Sequence, residues 1–565
     1  MYNLFLFLFS QTITFIHLND THTHLVPHGK WINGEKEFRA AAGAATIIKN
    51  LKNTYPDAIL VHAGDAFVGD LIHNVLKGKG ELTFLKSLGI RIFTIGNHEF
   101  DFGSNTLYNT LLQVGLPDNQ TKLLSANLIY NGHPLQNLIK PYEIDTVNGI
   151  IIGYVGLTTQ IPTLLLPDLP PIMVDDPVDY ARMYKDTLNA LGCHLKVLVS
   201  HLGVEMDTYI ARTTPNGYNL IIGGHSHTKL ENPLIIRNLS GDTVWVVQAY
   251  EHYKCVGFLQ MDLSSGKPRL INYSLIPVDT SVPYDSASLT LIQQFKDSVK
   301  LSFGRDMYGT FIGYADTSIE HRFIENSPYK DSPLGNLVTD AMRDTLKTDI
   351  ALEVGFLIGE PLYKGQFSEA DLYRSVPYGY DPLTKTNLIL VKSYFYGDTL
   401  IKILNFALNP YIYPLLLPQT SGMTYKYSSS SHTLEEALVN GQPIKPDSLY
   451  SVATNIWLLH GLKLILNITP VYSETTSVTQ YYALLHYVSK FDTLHYRTEG
   501  RIIDLAYSVK EFNQKQPEIE SSPNFFIGDI YFNYPFNINI FDITGRKIKT
   551  KELKRNGNSK GKLLF

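Results

Sequence analysis

Seven residues of metal-ligating type stand just beyond short apolar runs in the first half of the chain. Asp20 and His22 follow ITFIHLN, Asp65 follows AILVHA and Gly64, and Asn97 follows IRIFTI and Gly96. His201 follows LKVLV and Ser200, and His225 and His227 follow NLII and a glycine pair. Carboxylate, imidazole and amide donors without a thiolate suit Zn, Mn, Fe or Co rather than a structural cysteine-zinc centre. A central carboxylate can bridge two ions, which must lie about 3.5–4 Å apart to act on one phosphoryl group. Asp65 is the candidate bridge, with Asp20, His22 and His227 on one ion and Asn97, His201 and His225 on the other. If the 225–227 segment is extended, both imidazoles fall on one side and Ser226 points away. The neutral oxygen of Asn97 keeps such a site from repelling an anionic substrate.

These runs hold four to six residues rich in Ile, Val, Leu and Phe, the pattern of buried strands. In layered α/β folds the carboxyl ends of strands gather ligand groups from distant parts of a chain. The donors are therefore predicted to meet at one end of the sheets.

The ordered blocks Asp20-Thr21-His22, Gly64-Asp65, Gly96-Asn97-His98-Glu99-Phe100-Asp101, Ser200-His201 and Gly223-Gly224-His225-Ser226-His227-Thr228 resemble the 5'-nucleotidase family of calcineurin-like metallophosphoesterases, of the UDP-sugar hydrolase type. The resemblance implies an α/β fold: a four-layer αββα metal domain with a mixed β-sandwich, followed by an α+β C-terminal domain that selects substrate. It implies two divalent metal ions, phosphate release from 5'-nucleotides, and His98 with Asp101 as a catalytic pair beside the ions. In that pair His98 would hydrogen-bond the phosphoryl group or protonate the leaving oxygen, with Asp101 fixing its tautomer and charge. His98, Glu99 and Asp101 have no evident packing role in their glycine-started loop. By contrast His17 lies inside a strand, and His24, His28, His62, His73 and His194 read as packed or solvated histidines rather than ligands.

At 565 residues, 44% of them apolar, the chain is long enough for two or more domains with ordinary cores. A formal net charge of -5 and the lack of a basic stripe give no sign of a nucleic-acid partner. The two cysteines, Cys193 and Cys255, are expected to be free thiols. Leu4 to Phe9 is an apolar run without a basic n-region, read as a clipped signal segment over residues 1–12. No run is long enough for a membrane span. The resemblance, more than the leader, points to a periplasmic, cell-surface or secreted protein; a non-functional leader would leave it cytoplasmic.

The metal domain is expected over 13–280, closing with strands at Thr243–Gln248 and Val256–Asp262. The Pro-, Ser- and Asp-rich stretch near 277–288 punctuates the chain, and Leu289–Leu301 has helical spacing, giving a linker helix over 281–301 that the family uses as a hinge. The substrate domain, 302–508, begins with Ser332 to Arg343, which resembles the family's GNL-x-x-DA helix start, with Asn336 and Asp340 about one turn apart.

Beyond it the chain departs from the family. The loop whose arginine binds substrate phosphate reads Glu353 to Gly359, with Gly359 at the arginine position, so Lys364, Arg343 or Arg374 would have to replace that guanidinium. The Pro-Phe-Gly-Asn block reads Pro377-Tyr378-Gly379-Tyr380, and Ala453 to Trp457 replaces Ala-Thr-Asn-x-Phe. Tyr378 and Trp457 thus remain as aromatic faces for a base. A Gly-Gly-Asp-Gly loop reads Gly461-Leu462-Lys463-Leu464. After a linker-like run from Lys510, residues 509–565 contain INIFDITGRKIKTKEL, resembling the start of a type IX secretion sorting domain. The partner is a small phosphate ester. The alternatives are a cyclic nucleotide diester, nucleotide sugar or sulfur-containing ester as substrate, or a binding protein without turnover.

Overall fold

The computed structural model describes residues 11–160, 172–321, 327–410 and 416–507, and the backbone of a hairpin at Phe536–Phe541 and Lys547–Leu553. The apolar run at Leu4–Phe9, the polar run at Lys510–Asn524 and the D-x-x-G-R turn of the tail lie outside the described residues.

Five parallel strands, β1 (Thr12–Leu18), β2 (Ile59–His62), β3 (Ile92–Thr94), β4 (Lys122–Leu124) and β5 (Ile139–Lys140), make up one sheet from β1 to its β5 edge. A second sheet contains β6 (Tyr142–Val147), β7 (Ile150–Thr158), β8 (Leu195–His201), β9 (Leu220–Gly223), β10 (Leu234–Arg237) and β11 (Thr243–Val247), of which β7, β8, β9 and β11 run parallel. The antiparallel strands β12 (Cys255–Asp262) and β13 (Arg269–Pro277) return to the first sheet beside β1.

Side-chain alternation turns these sheets into four layers. Ile13 and Phe15 of β1, Val61 of β2, Tyr154 of β7, Val197 and Val199 of β8 and Ile222 of β9 share the core between the sheets. Their neighbours Ile16, Leu18 and Leu60 pack outward under the helices Ala40–Thr54 and Lys79–Ser87, while Leu157, Leu198 and Ile221 pack under Pro177–Ala190 and Val204–Thr213. This is the αββα arrangement expected from the sequence. Cys193 and Cys255 are free. No helix of the described residues is long and apolar enough to cross a membrane.

The helix Ser286–Phe303, capped by Asp285, leads into the second half. There β14 (Ile350–Val354), β15 (Ile389–Tyr396), β16 (Pro418–Ser421), β17 (Leu449–Asn455) and β18 (Tyr472–Thr479) make a five-stranded sheet in the order β16-β14-β17-β15-β18. The helix Pro333–Leu346 starts at Ser332, whose hydroxyl accepts from Gly335 N at 2.9 Å. Asn336 and Asp340 are architectural: Asn336 Nδ2 donates to Asp331 and Arg497 O, and Asp340 takes Arg501 at 2.7 Å.

The two halves share one apolar cluster, with Leu71, Ile72 and Leu82 packed with Ile292, Phe295 and Val299 of the connecting helix and with Leu334 and Leu372 beyond it. Buried Arg374 brings Nε to 2.8 Å and a terminal nitrogen to 2.6 Å from Asp70, whose other oxygen accepts from Tyr308. The small hairpin His28–Ile32/Glu35–Phe38 reaches across, with Trp31 Nε1 donating to Gln366 O at 2.8 Å and Lys36 3.4 Å from Asp371.

Candidate metal centre and its surroundings

The loops after β1, β2, β3 and β9 and the last residue of β8, His201, lie at the same end of the two sheets and bring all seven predicted ligands together. His201 Nε2 lies 2.9 Å from Asp65 Oδ2 and 3.2 Å from Asn97 Oδ1. His227 Nε2 is 3.4 Å from Asp20 Oδ1 and 3.1 Å from His22 Nε2, and His22 Nε2 is 3.9 Å from both Asp20 and Asp65. Asp65, His201 and His225 form one group of converging donors, and Asp20, His22 and Asp65 another, so Asp65 belongs to both.

The segment after β9 is not extended. His225 and His227 take φ values of 77° and 50°, and Asp20, His22 and Asp65 are also left-handed, at 48°, 45° and 56°. Such conformations are costly away from glycine and survive where surrounding structure imposes them. The His-x-His alternation expected from a strand is therefore replaced by a tight turn. That turn still sends His225 toward His201, with ring centroids 5.2 Å apart, and His227 toward His22 at 5.0 Å. Ser226 points back into the fold, where its hydroxyl accepts from Val204 N at 3.1 Å.

A second layer fixes which nitrogen each ring offers. His22 Nδ1 donates to Phe67 O at 3.0 Å, His201 Nδ1 to Ala63 O at 2.7 Å, and His227 Nδ1 to Glu251 at 2.6 Å. Each Nε2 is thereby turned into the common space, and in the neutral ring that a metal requires it is the lone pair, the arrangement by which outer partners orient metal-ligating histidines. His22 Nε2 and His227 Nε2 face each other across this space, and against burial Asp20 and Glu251 raise His227 well above its usual value, so a cation between the two rings would take the place of the His227 proton. The residues present fit divalent ions.

Electrostatics agree. Burial opposes charge on Asp20 and Asp65, but His227 holds Asp20 down at about 2 and His201 holds Asp65 well below the carboxylate range. Burial lowers His201, yet Asp65 and Asp20 raise it to about 9. Burial with the neighbouring imidazoles keeps His22 well below its usual value, and burial keeps His225 at about 4.

His98 sits beside this cluster and donates Nδ1 to Asp101 Oδ2 at 2.9 Å. Burial would lower it, but Asp101 and then Asp65 raise it to about 9. Its ring lies 5.8 Å from Tyr378, which belongs to the second half of the chain.

Glu99 was expected to have no packing role and has a large one: its buried carboxylate accepts from the backbone N–H of Gly96 at 2.6 Å, Ala66 at 2.7 Å, Asp65 at 3.1 Å and Phe67 at 3.3 Å. It pins the loops after β2 and β3 to each other and so positions Asp65 against Asn97. Glu251 was also missed. Its signal was weak, because an acidic residue on a loop after a strand has no spacing that singles it out. His62 is packed, accepting from Gly64 N and bonded to Thr21. His24 and His28, set aside with it, instead meet His252 and Glu360 at the seam between the halves.

The second half answers the question about the arginine. A side chain at Gly359 would meet Arg374 O at 2.3 Å and the Pro377 ring at 2.6 Å, so position 359 admits none. Arg374 is committed to Asp70, and Arg343 to the carbonyls of Thr348 and Asp349 and to Asn440. Lys364 is exposed. Tyr378 and Trp457 both pack against Val354, Leu357 and Leu388, together with Phe356. Gly461 and Lys463 do not form a loop: IWLLHGLKLIL is the helix Ile456–Leu466, capped by Asn455, whose side chain accepts from Leu458 N. The long apolar run and the Asn cap outweigh the single glycine.

Residues 13–229 match the calcineurin-like phosphoesterase family, and residues 311–467 match the 5'-nucleotidase, C-terminal domain family. The 5'-nucleotidase of Bos taurus is 29% identical over 360 residues, covering 58% of this chain and 59% of the bovine protein, so the chain spans about three fifths of that relative's length. A solved structure of a 5'-nucleotidase precursor from Thermus thermophilus superposes with a TM-score of 0.76 at 26% identity, covering 87% of this chain and 99% of that one. The sulfate thiohydrolase SoxB of Thermus thermophilus, 16% identical with a TM-score of 0.70 over 88% of this chain and 98% of that one, shares the fold. Residues 13–229 therefore belong to the calcineurin-like phosphoesterases, and residues 311–467 to the 5'-nucleotidase C-terminal domains.

Proposed function

We propose that this chain is a two-metal phosphohydrolase that releases phosphate from 5'-nucleotides. Residues 13–280 would carry the metals, 281–301 the connection, and 302–508 the substrate surface. The observation that carries the reading is the convergence of Asp20, His22, Asp65, Asn97, His201, His225 and His227, with the Nδ1 atoms of His22, His201 and His227 tied back so that Nε2 faces inward. Zinc, manganese, iron and cobalt all accept this donor set. When bound, two such ions supply a water acidified to near neutrality and neutralise charge on the phosphoryl oxygens.

The chain's own residues do the rest. His98, held charged by Asp101, offers Nε2 as a donor to a phosphoryl oxygen or to the leaving oxygen, and Asp101 keeps the proton on Nδ1. Glu99 holds the loops bearing Asp65 and Asn97 at fixed separation. Tyr378, beside His98, and Trp457 are the aromatic surfaces for a base. Export to the periplasm, cell surface or medium belongs to the same reading, supported by the precursor status in the name of the Thermus relative.

One observation favours a second reading. With no side chain at 359, the phosphate lacks a guanidinium from that loop, so the same chemistry acting on a cyclic nucleotide diester or a nucleotide sugar fits as well. The test is hydrolysis of AMP, UMP, cyclic 2',3'-AMP, UDP-glucose and p-nitrophenyl phosphate by metal-loaded protein, read by chromatography of the products (phosphate from the monoesters, a ring-opened monophosphate from the cyclic diester, UMP and glucose 1-phosphate from the sugar), with Asp65→Asn as the blank. Preference for AMP or UMP supports the first reading, preference for the diester or sugar the second. Turnover equal to the blank on every substrate rejects both.

A further inference from the structure

A second gathering of donors lies at the seam between the halves. His24 follows β1, His28 opens the hairpin that reaches across, His252 sits in the turn after β11 with φ 55°, and Glu360 comes from the second half, after β14. All four are buried. Glu360 Oε2 is 3.3 Å from His24 Nε2, and Oε1 is 2.7 Å from His252 Nδ1 and 3.6 Å from His28 Nδ1. The rings of His24 and His252 stack with centroids 3.7 Å apart.

The protons are the difficulty. His24 Nδ1 donates to His22 O at 2.8 Å, and His28 Nε2 donates to His252 O at 2.9 Å. In their neutral forms the remaining nitrogens, His24 Nε2 and His28 Nδ1, are lone pairs turned toward a carboxylate. These two atoms, His252 Nδ1 and Glu360 Oε1 are buried without a hydrogen-bonding partner of acceptable geometry, despite their short separations. Buried polar atoms left so are rare and costly, more so when acceptor faces acceptor. Lys254, the ammonium beside them, donates to Glu251 Oε1 at 2.6 Å. The pocket alongside is lined by His28, Lys36, Glu360 and Arg374, with Lys36 directed to Asp371 and Arg374 to Asp70.

We propose that His24, His252 and Glu360 hold a third divalent cation, of the zinc type. Their donor atoms lie within 4.8 Å of one another. Tetrahedral zinc with bonds of about 2.0–2.1 Å places its donors roughly 3.3 Å apart, within the span of separations seen here. Three protein donors leave a fourth position for water or a substrate oxygen. His24 and Glu360 are not among the donors around Asp65, whereas His252 also lies within reach of His22 and His227, with rings 5.6 Å and 5.8 Å away, so the sites are neighbours. Because Glu360 belongs to one half and the histidines to the other, the ion ties the halves together. It does so beside the Arg374–Asp70 pair, through Glu360 N donating to Arg374 O at 2.8 Å.

The test is the metal content and anomalous scattering of the full chain. Protein loaded with zinc and desalted is expected to carry three ions per chain by mass spectrometry, Glu360→Gln two, and Asp65→Asn to keep the ion at the seam while losing from the pair. A crystal measured at the zinc edge is expected to show a peak between His24, His252 and Glu360. A count of two in the parent, or a third peak elsewhere, overturns the proposal and leaves the two-metal reading intact. Should Glu360→Gln fail to fold, the anomalous map of the parent decides alone.

Discussion

His98 is placed to handle protons while ligating nothing, since its Nδ1 is spent on Asp101 and its ring lies against Tyr378. His98→Ala is expected to keep its metal content, by mass spectrometry, and to lose about 10²–10⁴-fold in turnover, the usual contribution of a positioned proton donor. Gly359 makes an opposite kind of prediction. Gly359→Arg will not supply the family's guanidinium, because even its Cβ collides with Arg374 O and Pro377. It is expected to lower Tm by several degrees through overpacking, read by thermal unfolding. That these seven side chains meet was legible because aspartate, asparagine and histidine just past apolar runs have few other uses. Their left-handed backbone was not, since nothing in His-x-His distinguishes a turn from a strand. Glu99 escaped for a related reason: a carboxylate that accepts four backbone N–H groups looks, in sequence, like any acidic loop residue.

Among the elements, the strands of the first half were readable from short apolar runs, and the helix Pro333–Leu346 from its Ser-Pro start. The helix Ile456–Leu466 was misjudged as a loop because a family pattern was laid over an apolar run whose own character is helical. The sheet that precedes it carries a titrating group of its own. Glu353, in β14, is buried and accepts from Val354 N at 2.9 Å, Asn455 Nδ2 at 2.7 Å and Gln480. Burial outweighs these bonds and raises it from 4.5 to about 7. The folded state therefore favours the protonated form, so the stability Glu353 contributes is full below the unfolded value and is lost as pH rises through about 7. Between about pH 5 and pH 8 the parent should lose on the order of 2 kcal/mol relative to Glu353→Gln in denaturant unfolding. Parallel curves for the two proteins would show that Glu353 stays charged.

For the whole molecule, the sequence pointed to two halves joined by a helix but held no measure of how firmly they bind each other. That depended on residues far apart in the chain, such as Asp70 with Arg374 and Trp31 with Gln366, which no local pattern pairs. Asp70→Asn should cost about 3 kcal/mol, the low end of the penalty for breaking a buried ion pair because Arg374 keeps Asp371 at 3.3 Å, measured by chemical denaturation. A freely swinging hinge is hard to reconcile with this seam, since large rotation would bring Arg374 and the shared apolar cluster into water. The common cluster also bears on modularity. Because Leu71 and Ile72 share a core with Phe295, Leu334 and Leu372, the halves are expected to melt as one cooperative body, a single transition in calorimetry, rather than as two beads on a string. Grafting a relative's substrate half onto this metal half would therefore set a foreign surface against Asp70 and Trp31, and new specificity is better sought by substitution in place than by exchange of parts.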